Sequence, residues 1–251
     1  PKDLKIIKHP IFEPYHLASL ISKKNTERIS SGIIQKQQKQ SLMEKLLLWV
    51  RGNLFIPDAR KYWVNPSTRY LSKIIKEEAI QTVITTGPPH SIHLIGQKLR
   101  QKQKIRWIAD FRDPWTSIGY HTKLKLSKSS QQKHQQLEKM VLNEADHIIT
   151  TSQTTKNEFS KLTNKPIEVI TNGFDGERLR PPLDIKFTIS HIGSLLTDRN
   201  PECFWQAIKE LCEEDERFKT RLNIQLIGVV GEGVKESVAH YGLTDLVSFV
   251  G

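Results

Sequence analysis

The feature that most constrains this chain is an alternation, from Leu71 to the last residue, of β-branched runs with helix-like runs across short connections. That rhythm predicts βαβ units, and so parallel sheets covered by helices. Residues 80–86 read as a strand stopped at Gly87-Pro88-Pro89, 91–100 as a helix, and 105–111 as a strand stopped at Pro114. Helix 137–145, strand 146–151, helix 154–162 and strand 167–170 continue the series, with Thr154 or Thr155 and nearby Glu158 marking the second helix start. The run Asn172-Gly173-Phe174-Asp175-Gly176, followed by Arg180-Pro181-Pro182, reads as an exposed crossing between domains. Beyond it, strands are predicted over 187–192, 222–227 and 247–250, and helices over 201–213 and 233–241.

The expected fold is therefore α/β, with one Rossmann-like domain over residues 1–180 and a second over 181–251. So few βα units rarely complete a domain of ~100 residues, so the second domain is expected to be partial. The first 70 residues are less regular: 4–8 reads as a strand and 41–50 as a short helix. From Trp49 through Phe55, Pro57 and Trp63, large apolar residues mix with Lys45, Arg51, Arg60 and Lys61. That mixture suits either a helix lying on an anionic membrane or packing against the sheet. Glutamine-rich patches at 35–40 and 131–136 are expected to be flexible surface.

Composition narrows the class. The net charge of +11 is uneven: residues 1–180 hold 31 Lys/Arg against 16 Asp/Glu, and 181–251 hold 7 against 11. A basic first part concentrates anionic partners, whether phosphorylated substrates, nucleic acid or an acidic membrane. No apolar run approaches the ~20 residues a spanning helix needs. Two cysteines, Cys203 and Cys212, in one helical stretch argue against a disulfide framework and for a reducing cytoplasm, and neither has the neighbours of a zinc site. Pro1-Lys2-Asp3-Leu4 carries no signal-peptide pattern.

In open α/β sheets ligands gather beyond the carboxyl ends of the strands, which draws attention to four loops. In 85–91, Gly87 permits close approach of a ligand, Ser91 suits a helix cap, and His90 is expected beside helix N–H groups that attract anions. In 110–115, Asp110, Arg112, Asp113 and Trp115 form the densest chemical cluster; a carboxylate beside Arg stays ionised, and Asp113 is the expected base. In 193–201, Gly193, Ser194 and Arg199 precede a helix start marked by Asn200 and Pro201, a setting for a diphosphate. In 228–233, Gly228, Gly231 and Gly233 match a dinucleotide fingerprint only loosely.

Taken in order, TTGPPHSIHLIG, WIADFRDPW, EADHIITTS, VITNGFD, HIGSLLTDRNP, LIGVVGEGV and VSFVG resemble the family 4, or group 1, glycosyltransferases of GT-B fold over roughly residues 50–251. The resemblance implies two facing Rossmann-like domains, an acceptor held mainly by the first and a nucleotide-sugar donor mainly by the second. It also implies retention of anomeric configuration, no essential metal and no cofactor beyond a UDP- or GDP-linked donor. By position, Gly193, Ser194 and Arg199 would face the donor phosphates and Gly228 the nucleotide. His90, Arg112 and Asp113 would line the cleft. The chain departs from the pattern where Arg112 replaces a frequent His and where Asn200 replaces the second of two basic residues. The family's late Glu pair would fall beyond Gly251 and its first strand before Pro1, so the chain as given is expected to be a fragment without turnover. The implied setting is the cytoplasm, with peripheral contact at the inner face of the membrane and a role in envelope polysaccharide synthesis. A sugar-nucleotide epimerase and a basic nucleic-acid-binding protein are the competing readings. The acceptor-side FRDPW loop argues against the first, and the lack of any stacking platform or zinc-finger spacing argues against the second.

Overall fold

The computed structural model describes residues 4–11, 42–118, 121–176 and 182–251. The described residues cluster into two compact units, one reaching Phe174 and the other starting at Asp175. In the first, α1 (Leu42–Leu54) and α2 (Val64–Glu77) lead into β1 (Thr82–Gly87), α3 (Ser91–Lys102), β2 (Arg106–Phe111), α4 (Lys128–Glu144), β3 (His147–Thr150), α5 (Gln153–Phe159) and β4 (Ile167–Val169). The four strands are parallel and lie in sequence order, and each crossover carries a helix. The interior strand β2 buries Trp107, Ala109 and Phe111 completely, against Val141 and Leu142 of α4. A fully buried aromatic of this kind contributes about 1.5–3 kcal/mol relative to exposure.

The second unit runs β5 (Phe187–Ile192), α6 (Glu202–Glu214), α7 (Glu216–Arg221), β6 (Leu222–Ile227), α8 (Glu232–His240) and β7 (Val247–Val250), with a parallel sheet ordered β5-β6-β7. Leu222, Ile224 and Leu226 of β6 alternate with half-buried residues. They join Trp205 and Ile208 of α6 and Val234 of α8 in one core. Both units are thus the parallel α/β structures that the alternation predicts.

Several expectations change. Residues 4–8 are not a strand: Ile6 is exposed, and Lys5 instead reaches Glu78 at 2.5 Å. Helix α2 escapes the sequence pattern, because small polar Ser67 and Thr68 share its buried face with Val64 and Ile75 and hide the apolar period. Residues 131–136 are not loose surface but part of α4. That helix starts at Lys128 behind the Ser127 cap and buries Ser130, His134 and Glu138 on the same face as Val141 and Leu142. The patch at 35–40 lies outside the described residues. The cap of α5 is Ser152, whose Oγ accepts from the Thr155 N–H at 3.1 Å, rather than Thr154 or Thr155. The short α7, capped by Asp215, is a further addition. From Leu46 to Trp63 the side chains divide: Leu48 is buried and Trp63 packs on the α2–α3 core, while Leu46, Trp49 and Tyr62 are exposed.

Candidate active site

The parallel register sets the ends of β1, β2 and β3 side by side, with Gly87 opposite Phe111 and Phe111 opposite Thr150. The loops that follow therefore share one edge of the sheet, and they are stitched together. Arg112 N–H donates to the Gly87 carbonyl at 2.8 Å, and Thr151 Oγ1 donates to the Arg112 carbonyl at 2.9 Å. The Arg112 guanidinium is exposed and donates to the Asn172 side chain, which joins the FRDPW and TNGFD motifs. It makes no ion pair with Asp113. That carboxylate stands exposed with no hydrogen-bond partner among the described residues, while Asp110 is buried. The Asp113–Arg112 pairing expected from adjacency is therefore replaced by an Arg112–Asn172 bond, because neighbouring residues leaving a strand project in different directions.

His90 differs from expectation more sharply. It ends the β1 loop as the residue preceding α3, yet only 4% of it is exposed. Its ring stacks on Trp115, with centroids 4.8 Å apart and planes 3° from parallel. Burial, followed by the neighbouring histidines His93, His121 and His134, pushes its pKa well down, so it is a neutral imidazole. Nor does the start of α3 wait for an outside anion. The Asp58 carboxylate, from the loop after α1, accepts from Ser91 N–H at 2.8 Å, Ser91 Oγ at 2.9 Å and Arg60 N–H at 2.9 Å. A carboxylate of the chain itself thus holds the place given to a ligand.

Further residues complete this edge. Trp115 Nε1 donates to His134 Nδ1 at 3.1 Å; since indole only donates, His134 carries its proton on Nε2. Glu138 accepts from both the N–H and the hydroxyl of Thr116, which fastens the loop to α4, and burial raises its pKa. His93 is fully buried, stacks on Phe111 at 4.3 Å and shares a 2.9 Å hydrogen bond with Thr85, and burial takes its pKa to about 3. A β-carbon on Gly87 would meet His93 Nε2 at 2.6 Å, so that glycine makes room for an imidazole rather than for a ligand. His90, His121 and His134, from three elements, line one cavity of about 60 Å³. Sequence spacing gives no hint of that cluster, since positions 90, 121 and 134 meet only through the sheet.

In the second unit the β5 and β6 loops are zipped together at the carboxyl edge. Leu195 N–H donates to the Val229 carbonyl at 2.9 Å and Gly231 N–H to the Leu195 carbonyl at 2.9 Å. Gly193 (φ +134°) and Gly228 (φ +117°) hold backbone that other residues rarely adopt, and a β-carbon on Gly228 would lie 2.7 Å from the Gly193 carbonyl oxygen. Gly193, Gly228 and Arg199 are exposed and Ser194 is half-buried; the Arg199 guanidinium has no partner among the described residues. The other two glycines have a packing reason: β-carbons on Gly231 and Gly233 would lie 2.5 and 2.4 Å from Thr197 atoms. Asn200, which stands where the family pattern has a cation, bolts α6 to α8. Its Oδ1 accepts from Trp205 Nε1 at 2.8 Å and its Nδ2 donates to Ser237 Oγ at 2.8 Å. Among the described residues, no three His, Cys, Asp or Glu side chains are grouped to hold a metal, and no helix is long and apolar enough to cross a membrane.

The family described as Glycosyltransferase Family 4 matches residues 33–178, more than half of the chain. The chain belongs to that family. No curated protein matches the sequence. Among solved structures, it is similar to a mutant of S. aureus TarM in complex with fondaparinux, alpha-GlcNAc-glycerol and UDP (11% identity, 72% of this chain and 35% of that one, TM-score 0.45). It is also similar to OtsA in its apo form (11% identity, 74% and 51%, TM-score 0.46). A third likeness is to the pneumococcal O-GlcNAc transferase GtfA in complex with UDP and GlcNAc (14% identity, 74% and 37%, TM-score 0.38). The chain spans between about a third and a half of these structures. The family match takes in the loops at the carboxyl edge of the first sheet, so His90, Arg112 and Asp113 fall within it, while Gly193, Ser194, Arg199 and Gly228 share one edge of the second unit.

Proposed function

We propose that the protein is a glycosyltransferase that moves a sugar from a UDP- or GDP-linked donor to a glycan, polysaccharide or lipid-linked acceptor, with retention of configuration. Membership of glycosyltransferase family 4 over residues 33–178 carries this reading. The second unit supplies the donor side: Gly193 and Gly228 leave bare backbone at the sheet edge, and Arg199 brings an exposed guanidinium without a competing carboxylate. That cation stabilises the departing diphosphate as charge builds on it. The first unit supplies the acceptor side, where Asp113, exposed and unpaired, takes the proton of the acceptor hydroxyl. Arg112 holds the loop's shape through Asn172, and His90 lies beneath. No cofactor beyond the nucleotide sugar is needed. The exposed Leu46 and Trp49 beside Lys45 fit peripheral contact with an anionic membrane on the cytoplasmic side, where lipid-linked acceptors for envelope polysaccharide would be met.

A thermal-shift panel of UDP, GDP, CMP, their sugar conjugates and NAD on the full-length protein tests the reading. One nucleoside diphosphate is expected to stabilise selectively, by about 2.7 kcal/mol at 100 times its dissociation constant. A response to NAD alone, or to none, overturns it.

A further inference from the structure

We propose that the cavity beneath His90 is a pocket for a hydroxyl group and, on the glycosyl-transfer reading above, that the group belongs to the acceptor. Three independent observations lead there. The cavity, of about 60 Å³, has room for more than one water-sized group, and its walls include His90, His121, His134 and Asp58. His90 is 4% exposed, and both of its ring nitrogens are buried without a hydrogen-bond partner. Its ring is also fixed in place by stacking on Trp115, which in turn is held by His134.

The chemistry of the unmet groups selects the occupant. A neutral imidazole offers one N–H donor and one bare nitrogen acceptor, so the group that satisfies both must itself accept and donate. A hydroxyl does so without charge; a phosphate must bring its negative charge into a buried site, and a fully ionised phosphate ester offers acceptors only and would leave one nitrogen unmet. The walls hold the Arg51 guanidinium as well as the Asp58 carboxylate, so their charges offset and give an anion no net attraction. A metal ion is disfavoured as well, since among the described residues these side chains are not arranged as a ligand set. His134, with Nδ1 committed to Trp115, keeps its proton on Nε2, which lies beside the Gly52 backbone, so the unmet demand in the pocket is that of His90. Water has the same two-sided character as a hydroxyl and would fill the pocket until an acceptor displaces it.

Long-range proton–nitrogen spectra of the histidine rings in the full-length protein, titrated with glycerol and separately with inorganic phosphate, read the occupant directly. Glycerol is expected to move the His90 ring nitrogen signals saturably, and phosphate to leave them in place. In His90→Phe the effect of glycerol on the His134 ring should vanish, and in His90→Asn, which keeps a donor and an acceptor, it should return in part. Melting temperatures of both variants establish that they fold. A response to phosphate without one to glycerol, or none to either, overturns the pocket. If glycerol fails while a nucleoside diphosphate still stabilises the protein, the pocket falls and the transferase reading stands; if glycerol binds and no nucleotide does, the hydroxyl site stands and its assignment to an acceptor falls.

Discussion

Asp113 and His93 illustrate how the same sheet edge produces opposite kinds of side chain. Asp113 is exposed and unpaired, so Asp113→Asn should leave the melting temperature unchanged while lowering turnover at least ~100-fold if the carboxylate is the base. Near-normal turnover in a steady-state assay would end that role. His93 and His121 are buried, with pKa values of about 3 and about 4 against about 6.5 in the unfolded chain. Above that unfolded value both states are neutral and nothing is lost. As pH falls below it, the unfolded chain takes up protons that the folded rings refuse, so stability drains away towards pH 3–4. Burial of Glu138 works in the opposite sense, its raised pKa favouring the folded state at acid pH. Urea midpoints are expected to fall between pH 7 and pH 4.5, with His93 alone accounting for roughly 2–3 kcal/mol. A flat profile would contradict neutral burial.

At the scale of elements, α3 is held by a carboxylate that arrives from 33 residues earlier. Asp58→Ala should cost about 1–2 kcal/mol in the urea midpoint, and Asp58→Asn less, since an amide oxygen still accepts; equal losses would mean that capping is not the cause. This scale also separates what was readable from what was not. Strands β5 to β7 match their predicted limits because Phe187–Ile192, Leu222–Ile227 and Val247–Val250 are short stretches in which apolar and polar residues largely alternate, each followed by a glycine. Helix α4 is legible only from residue 137 onward, since its first half buries Ser130 and His134 where an apolar period would place leucine. Of the candidate site, the loops were legible because they follow strands. The identity of the partners was not, because Asp58 with Ser91, Arg112 with Asn172 and Trp115 with His134 pair across 19 to 60 residues.

For the whole molecule, charge and exposure act together. Net +15 over residues 1–180 and −4 over 181–251 make the first unit the cationic one. Vesicles rich in anionic lipid should retain the protein at low salt and release it at high salt, and a Trp49→Ser variant should bind less; retention independent of salt, or none, would sink the membrane contact. The seat that Thr197 takes against Gly231 and Gly233 has a consequence for inheritance. Gly233 and Thr197 constitute one heritable trait, since a β-carbon at 233 would meet only the Thr197 side chain and a smaller residue at 197 admits it, whereas Gly231 faces the Thr197 and Leu196 backbone and stays glycine whatever stands at 197. A glycine that looks like part of a nucleotide signature would then drift in step with a threonine more than thirty residues away, whatever the loop binds.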